Sequence, residues 1–205
     1  YLGGSNPDLN PNTAFSILMQ LAENVKLENC KPQSEVLRSV FIQPGNRNIE
    51  PFSSDPFVIG NSAPTRLFTS NFDQGMNGYA YADMAWEDVR LTTGYYTAWN
   101  NGWVYRNNGV DLEATSDPLS NGYTVGWFVE GEWMKYTIKN NAIGTYLLEF
   151  RIANGFSNPG TLQIQNEDGT EILTTVAIPP TGSWSSWQTV TATCSFGTLG
   201  KQVIR

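Results

Sequence analysis

The sequence predicts an all-β fold, a jelly-roll β-sandwich preceded by a short helical and extended N-terminal segment. Composition is the first reason: 19 glycines, 11 prolines and 13% aromatic residues accompany only 15% charged residues, as expected of short strands joined by tight turns. Alternation is the second reason, because apolar side chains recur at every second position in runs spaced roughly ten residues apart. Such strands without intervening helices are typical of a sandwich or a jelly roll.

The first 63 residues differ from the rest. In NPNTAFSILMQLAENVKLENC, apolar residues recur at helical spacing after the candidate N-cap Asn12, which predicts an amphipathic helix of about four turns. The following stretch, GNRNIEPFSSDPFVIGNSAP, is typical of a linker or of an extended segment wrapped on a domain. We place a boundary near residues 63–66, so that residues 1–63 precede a β-sandwich domain over residues 64–205.

Period-two alternation dominates the second part of the chain. The run TYLLEFRIA turns alternate residues to opposite faces, and NEDGT supplies a hairpin turn between two later runs. In VTATCSF, we interpret Cys194 as a small buried apolar residue, with a disulfide to Cys30 as the alternative. The run GKQVIR ends at Arg205 part-way through a predicted strand, which leaves open that a closing strand is missing.

Charge and residue usage exclude several classes of function. A net charge of −7 with only 12 Lys and Arg residues argues against a nucleic-acid partner, because phosphates are neutralised by clustered cations. No apolar run approaches the roughly 18 residues that a membrane span needs. Histidine is absent, which removes the commonest general base and the commonest zinc ligand.

Exposed aromatic residues are the strongest functional signal. Because the apolar face of a sugar ring needs a flat aromatic platform, tryptophans on turns are candidate binding residues. In PPTGSWSSWQTV, Trp184 lies in the turn and is the exposed candidate, whereas Trp187 opens a strand and is the core candidate. Trp127 follows Gly126 before a Glu-Gly turn and is a second candidate. The alternative for each tryptophan is burial in the core.

At these residues the chain resembles a family 6 carbohydrate-binding module over roughly residues 66–205. The resemblance is carried, in order, by FDQGMNGYAYAD, YRNNGVDLE, GYTVGWFVEGEWMKYTI, GTYLLEFRIAN and IPPTGSWSSWQTVT. It implies a jelly roll that binds polysaccharide ends or short glycan stretches in a cleft formed by loops. It further implies that Trp127 and Trp184 bracket a sugar ring and that Glu113 accepts hydrogen bonds from the ligand.

The chain departs from the family pattern at three places. Family members hold a structural calcium partly through glutamates in the first strand, and Phe68 and Ser70 occupy those positions here, which argues against calcium. The family's last strand brings an asparagine to the cleft, and the chain ends before such a strand. An insertion, MAWEDVRLTTGYYTAWNNGWV, contains Trp99 and Trp103. We hypothesise that these two rings extend the sugar platform; the equal alternative is a satellite core or a surface for a neighbouring domain.

The resemblance therefore predicts a non-catalytic module that targets an attached glycoside hydrolase to xylan, β-glucan or an agar-type chain, outside the cell or at its surface. Because modules of this family are usually attached to glycoside hydrolases, the resemblance also suggests that residues 1–63 are the tail of a catalytic domain followed by a linker. Two other classes stay open. A glycoside hydrolase would need a carboxylate pair, for which Asp111 or Asp117 could join Glu113. A structural or adhesive sandwich would use its exposed aromatics to bind protein, and a flat contiguous apolar patch would favour it.

Overall fold

A computed structural model describes residues 11–26, 28, 48–83, 105–106 and 110–205. Within these ranges the chain forms one α-helix, eleven β-strands and a short 3-10 helix. The helices are α1 (Pro11–Asn24) and the 3-10 helix Thr69–Asn71. The strands are β1 (Phe57–Ile59), β2 (Tyr81–Ala82), β3 (Leu112–Ala114), β4 (Tyr123–Val125), β5 (Trp133–Met134), β6 (Tyr136–Asn140), β7 (Gly144–Ile152), β8 (Gly160–Gln165), β9 (Ile172–Ile178), β10 (Gln188–Phe196) and β11 (Gly200–Ile204). This confirms the predicted fold, mainly β with a helix ahead of it.

The longest strand pair is β7 with β10, which run antiparallel over nine residues each. Burial alternates along both strands as the sequence predicts, with exposed threonines facing solvent on β10. Strand β9 lies beside β10, and it pairs with β8 through the predicted Asn-Glu-Asp-Gly-Thr turn. The turn glycine, Gly169, has a φ of 75°, which a residue with a side chain rarely adopts.

A three-stranded sheet combines distant parts of the sequence. Its central strand β6 pairs in parallel with β1 and antiparallel with β11. Strand β1 lies before residue 64, so backbone hydrogen bonding crosses the boundary predicted near residues 63–66. The proline-rich segment from residue 48 onwards is therefore an extended segment wrapped on the domain.

Asp73 connects this wrapped segment to β6. Its buried carboxylate accepts hydrogen bonds from the Thr137 backbone N–H (3.0 Å), the Thr137 hydroxyl (2.6 Å) and the Phe52 N–H (3.3 Å). Burial raises the pKa of Asp73, and these hydrogen bonds oppose the increase. Nearby, the buried Arg106 guanidinium lies 3.6 Å from the centre of the Phe72 ring and donates to the Phe72 carbonyl. These contacts give hydrogen-bond partners to the buried Asp73 carboxylate and to the buried Arg106 guanidinium.

Two apolar clusters make up the core of the described residues. One is centred on Phe72, Tyr81 and Leu112, and the other on Ile138, Cys194 and Phe196. The predicted burial of Cys194 is confirmed; Cys30, its alternative disulfide partner, lies outside the described residues.

Helix α1 begins at Pro11, one residue before the predicted N-cap. Proline is favoured at the first helical position because it has no N–H to leave unpaired there. The N-cap prediction for Asn12 is therefore wrong, and the Asn12 carbonyl instead accepts the Ser16 hydroxyl at 2.9 Å. The apolar residues of α1 are exposed. No helix in the described ranges has both the length and the apolarity to cross a bilayer.

Candidate functional site

Two loops emerge side by side at one end of the sandwich. The β7–β8 loop (residues 153–159) leaves β7 after Ile152, and the β9–β10 loop (residues 179–187) enters β10 at Gln188. Because Ile152 is the pairing partner of Gln188, the strand register brings the two loops together. Neither loop contains a charged residue.

Buried Asn154 joins these two loops through both its backbone and its side chain. Its backbone N–H donates to the Thr181 hydroxyl at 2.8 Å, and its carbonyl accepts the Thr181 N–H at 2.8 Å. Its side-chain amide donates to the carbonyls of Asn158 (3.0 Å) and Ile178 (3.5 Å) and accepts the Phe156 N–H at 3.0 Å. One buried residue thus satisfies groups in both loops and holds them in a single arrangement.

Trp184 lies at the surface of this pair of loops. The turn around it is closed by hydrogen bonds from the Ser185 N–H to the Ser183 hydroxyl (3.2 Å) and from the Ser186 N–H to the Ser183 carbonyl (3.2 Å). Its side chain is 58% exposed, as its turn position predicts. Trp187, at the start of β10, is half-buried. An indole kept in water on an ordered loop is available to bind a ligand.

Trp127 is exposed by a different local structure. It follows Gly126 at the end of β4, has a φ of 47° and is 48% exposed. A bulky residue in the left-handed region is strained, and such strain is concentrated at functional sites. The following turn is closed by the Val129 N–H, which donates to Glu132 at 2.9 Å, and Gly131 adopts a φ of 95°. Trp127, Phe128 and Val129 form a continuous exposed apolar segment.

Glu113 lies beside the Trp127 segment. In the β3–β4 hairpin it pairs with Thr124, and a Cβ placed on Gly126 would lie 3.8 Å from its carboxylate oxygen. The side chain is half-buried, and the desolvation raises the pKa of Glu113. A partly desolvated carboxylate beside the backbone that leads to an exposed tryptophan can accept hydrogen bonds from a polar ligand.

A second carboxylate, Asp111, lines a small open depression next to the same segment, together with Gly126 and Phe128. Burial, followed by the nearby charge of Glu132, raises the pKa of Asp111 to about 6. Its backbone carbonyl accepts the Gly126 N–H at 2.9 Å. The ionisation of Asp111 is therefore coupled to Glu132 and lies close to the backbone that positions Trp127.

Asp117 has a structural role. Arg151 binds it with two hydrogen bonds, from Nε at 2.9 Å and from a terminal nitrogen at 3.1 Å, and its side chain is almost fully buried. The hydrogen bond from Arg151 is the main reason that the pKa of Asp117 is lowered. Its carboxylate holds the β3–β4 turn against β7, and a lowered pKa is the opposite of what a general acid needs.

Trp99 and Trp103, which the sequence analysis also proposes as binding residues, lie outside the described residues.

The two first-strand positions, Phe68 and Ser70, show whether this chain has the ligands for the structural calcium of the family. Phe68 has no side-chain oxygen, and the Ser70 hydroxyl is buried and hydrogen bonded to the Asn121 amide at 3.0 Å. These two residues do not supply the carboxylates of such a site, and the described ranges contain no metal-binding group of three acidic or thiol side chains.

Sequence reasoning did not single out Asn154, Gly155 and Phe156. Phe156 is 68% exposed and meets Trp184 edge to face. The available signal was the run Ala-Asn-Gly-Phe directly after a strand, where a large apolar residue in a turn is unexpected.

Comparison with known families and proteins finds matches to the part of the chain that contains Trp127, Asn154 and Trp184. The model of the carbohydrate binding module (family 6) matches residues 104–205. A stretch of 90 residues, 43% of this chain, is 33% identical to the clotting factor G alpha subunit of Tachypleus tridentatus. That stretch is only 13% of the length of the relative.

Solved structures similar to this chain include three family 6 modules. That of Cellvibrio mixtus lichenase 5A, solved with cellotriose, is 29% identical with a TM-score of 0.42 and covers 47% of this chain and 74% of its own. The C-terminal module of a marine laminarinase from Zobellia galactanivorans is 31% identical with a TM-score of 0.41, covering 47% and 76%. A β-1,3-glucan-binding module from Bacillus halodurans is 29% identical with a TM-score of 0.40, covering 47% and 71%.

Proposed function

Because residues 104–205 belong to carbohydrate-binding module family 6, we propose that this chain binds polysaccharide chains or their oligosaccharides at the loop end of its sandwich and performs no chemistry on them. The observation that carries the proposal is the exposed but ordered Trp184, held by two loops that a buried asparagine joins. An aromatic ring that stays exposed to water on an ordered loop can stack on the C–H face of a sugar.

Trp184 and Trp127 are the proposed stacking residues, and Glu113 is the proposed hydrogen-bond acceptor. The strain at Trp127 supports its role, because a fold without a use for that ring would place glycine in the left-handed conformation. The raised pKa of Glu113 reflects a partly desolvated carboxylate, which is stabilised when a sugar hydroxyl donates to it.

The biological role that we propose is targeting of an attached polysaccharide-degrading enzyme. Tethering the enzyme to a slowly diffusing polymer raises its effective concentration at the substrate without any new catalytic group. Since a polymeric glycan is met outside the cell, we place the protein there or at the cell surface. Xylan, β-glucan and agar-type chains are the candidate ligands.

The test is titration of the protein and its Trp184→Ala variant with xylo-, cello-, laminari- and agaro-oligosaccharides, followed by calorimetry and tryptophan fluorescence. We expect the variant to lose binding by about 5- to 30-fold, since a stacked ring contributes about 1–2 kcal/mol. Ile143→Ala is the matched control, because Ile143 is an exposed apolar residue at the opposite end of β7. Equal loss in both variants, or no binding by the parent protein, would contradict the proposal.

The catalytic alternative has its own measurement. The pairing of Asp117 with Arg151 removes one of its carboxylates, which leaves Asp111 as the partner for Glu113. We expect the same oligosaccharides to be recovered uncleaved after prolonged incubation at pH 5 to 7. Cleavage products that disappear in Asp111→Asn would establish a glycoside hydrolase instead.

A further inference from the structure

Phe156 and Trp184 form a pair of exposed rings at the loop end. Their centroids are 4.8 Å apart and their planes meet at 86°. Phe156 belongs to neither apolar cluster of the core and is 68% exposed. A phenylalanine that adds little to the core yet is held in water beside a candidate binding residue resembles a ligand contact more than a packing residue.

Gly155 determines how Trp184 lies in this pair. A Cβ at position 155 would come within 2.6 to 2.8 Å of three indole atoms, Cε2, Cδ2 and Nε1. These nearly equal distances place the Gly155 backbone over one face of the indole. Trp184 is nevertheless 58% exposed. The indole is therefore supported by the Gly155 backbone and still presents a large part of its surface to solvent.

We propose that Phe156 is a second sugar-contacting ring, and that the right-angled pair selects neutral glycans whose neighbouring sugar rings turn relative to one another. The proposal rests on the function proposed above, namely that Trp184 stacks on a sugar. It adds Phe156 as a residue that discriminates between glycosidic linkages of the glycan, and it assigns Gly155 as the residue that positions the Trp184 indole.

The angle between the rings carries the argument for a turning chain. A β-1,4-linked chain is a flat ribbon, and successive rings of such a ribbon stack on coplanar platforms. A β-1,3-linked chain curves, so that neighbouring rings present faces in different directions. Two aromatic rings at 86° can each contact one ring of the curved chain but cannot both stack on the flat one.

The charge of the loops carries the argument for a neutral ligand. Residues 153–159 and 179–187 contain neither Lys nor Arg, and the whole chain has a net charge of −7. A glycan rich in uronic acids would meet no cation in these loops and would be repelled by the overall charge.

The experiment compares a β-1,3-linked glucan hexasaccharide with a β-1,4-linked one, using the parent protein, Phe156→Ala, Trp184→Ala and Gly155→Ala. We expect the parent to prefer the β-1,3-linked chain. Phe156→Ala should reduce that affinity by about 5- to 10-fold, the scale of one aromatic contact. It should reduce the β-1,4-linked affinity by clearly less, because that chain contacts only Trp184, and it should leave the melting temperature unchanged, because Phe156 is a surface residue.

The Gly155→Ala variant tests the positioning role. The added methyl group collides with the indole, so we expect weaker binding of both hexasaccharides and an altered tryptophan emission spectrum. Gly144→Ala is the matched control, since a Cβ at that position meets no atom within 4 Å. An unchanged spectrum and affinity in Gly155→Ala would overturn this assignment.

The outcomes separate the two proposals. If glycans bind in a Trp184-dependent way but Phe156→Ala affects both linkages equally or neither, the linkage role of Phe156 is refuted while the binding function stands. A parent protein that prefers the β-1,4-linked chain likewise refutes the linkage role alone. If neither hexasaccharide binds but a xylo- or agaro-oligosaccharide does in a Trp184-dependent way, the linkage role is refuted while the binding function stands; if none of these glycans binds, both proposals fail together.

Discussion

Trp127 and Trp184, the two exposed tryptophans among the described residues, are held at the surface by different physical means. Trp184 is held by its neighbours: the Gly155 backbone covers one face, Phe156 meets it edge to face, and buried Asn154 ties both loops together. Trp127 is held by its own backbone, in the left-handed region at a φ of 47°. The position of Trp184 thus depends on a hydrogen-bond network between two loops, whereas the position of Trp127 involves local backbone strain.

The regions also differ in charge. The loops around Trp184 contain no ionisable residue, whereas Asp111, Glu113 and Glu132 surround the Trp127 segment. Variants and pH should therefore affect the two regions in different ways. Contacts at Trp184 are expected to be insensitive to pH, and those near Trp127 are expected to respond to carboxylate ionisation.

Asn154→Ala should have the largest effect, because it removes the network on which the Trp184 region depends. We expect a loss of about 2–3 kcal/mol in the free energy of unfolding, since several buried groups lose their partners at once. Glycan binding through Trp184 should weaken as well. Urea unfolding and oligosaccharide titration measure the two effects.

Asn158→Ala is the control for this variant. Asn154 binds Asn158 through the backbone carbonyl, which the substitution leaves in place, so stability and binding should be retained. If Asn154→Ala were as stable as the parent, the loops would be held by some other contact, and the contrast with Trp127 would be lost.

Asp111→Asn should have the next largest effect, confined to the Trp127 region. The folded-state pKa of Asp111 is raised from 3.8 to about 6. The protonated form is thus favoured by folding, and stability falls as the pH rises from about 4 to about 6. The variant removes this cost, so we expect it to be more stable than the parent by about 1–2 kcal/mol at pH 7.

The measurement is chemical unfolding of parent and variant at several pH values between 4 and 7. Glu130→Gln controls for the change in net charge, because Glu130 is an exposed carboxylate in the neighbouring turn. An identical pH dependence in the parent and in Asp111→Asn would show that Asp111 is not desolvated in the folded protein.

Glycine and alanine substitutions sharpen the comparison between the tryptophans. At position 127, glycine relieves the left-handed strain, so Trp127→Gly should be more stable than Trp127→Ala by about 1 kcal/mol. At position 184, where φ is not positive, the order should reverse, with alanine the more stable by about 0.5–1 kcal/mol. All four variants should lose glycan affinity. The same order at both positions would show that the two tryptophans are presented in the same way.

Removal of metal should have the smallest effect. Phe68 and Ser70 do not supply the carboxylates of the family's calcium site, so we expect chelation by EDTA to leave the melting temperature and the glycan affinity unchanged. A decrease in melting temperature that added calcium reverses would reveal a site built from other residues.

The sequence by itself determined the alternating pattern of the strands and the exposure of Trp184. Alternation along β7 and β10 predicts the buried and exposed faces because the side-chain period of a strand is two. Glycine and serine around Trp184 predict a turn and hence an exposed ring. The pairing of the segment before residue 63 with the sandwich could not be predicted in this way, because local composition does not reveal that β1 pairs with β6 some 80 residues later.

Tertiary structure alone decided how the candidate site is assembled. Asn154, Gly155 and Phe156 acquire their roles only because the β7–β10 register brings residues 153–159 against residues 179–187. Likewise, nothing in the local sequence distinguishes Asp111, with its raised pKa, from Asp117, which Arg151 neutralises. The reason is physical: period and turn chemistry are local properties, whereas burial and partnership depend on contacts between residues that are distant in the chain.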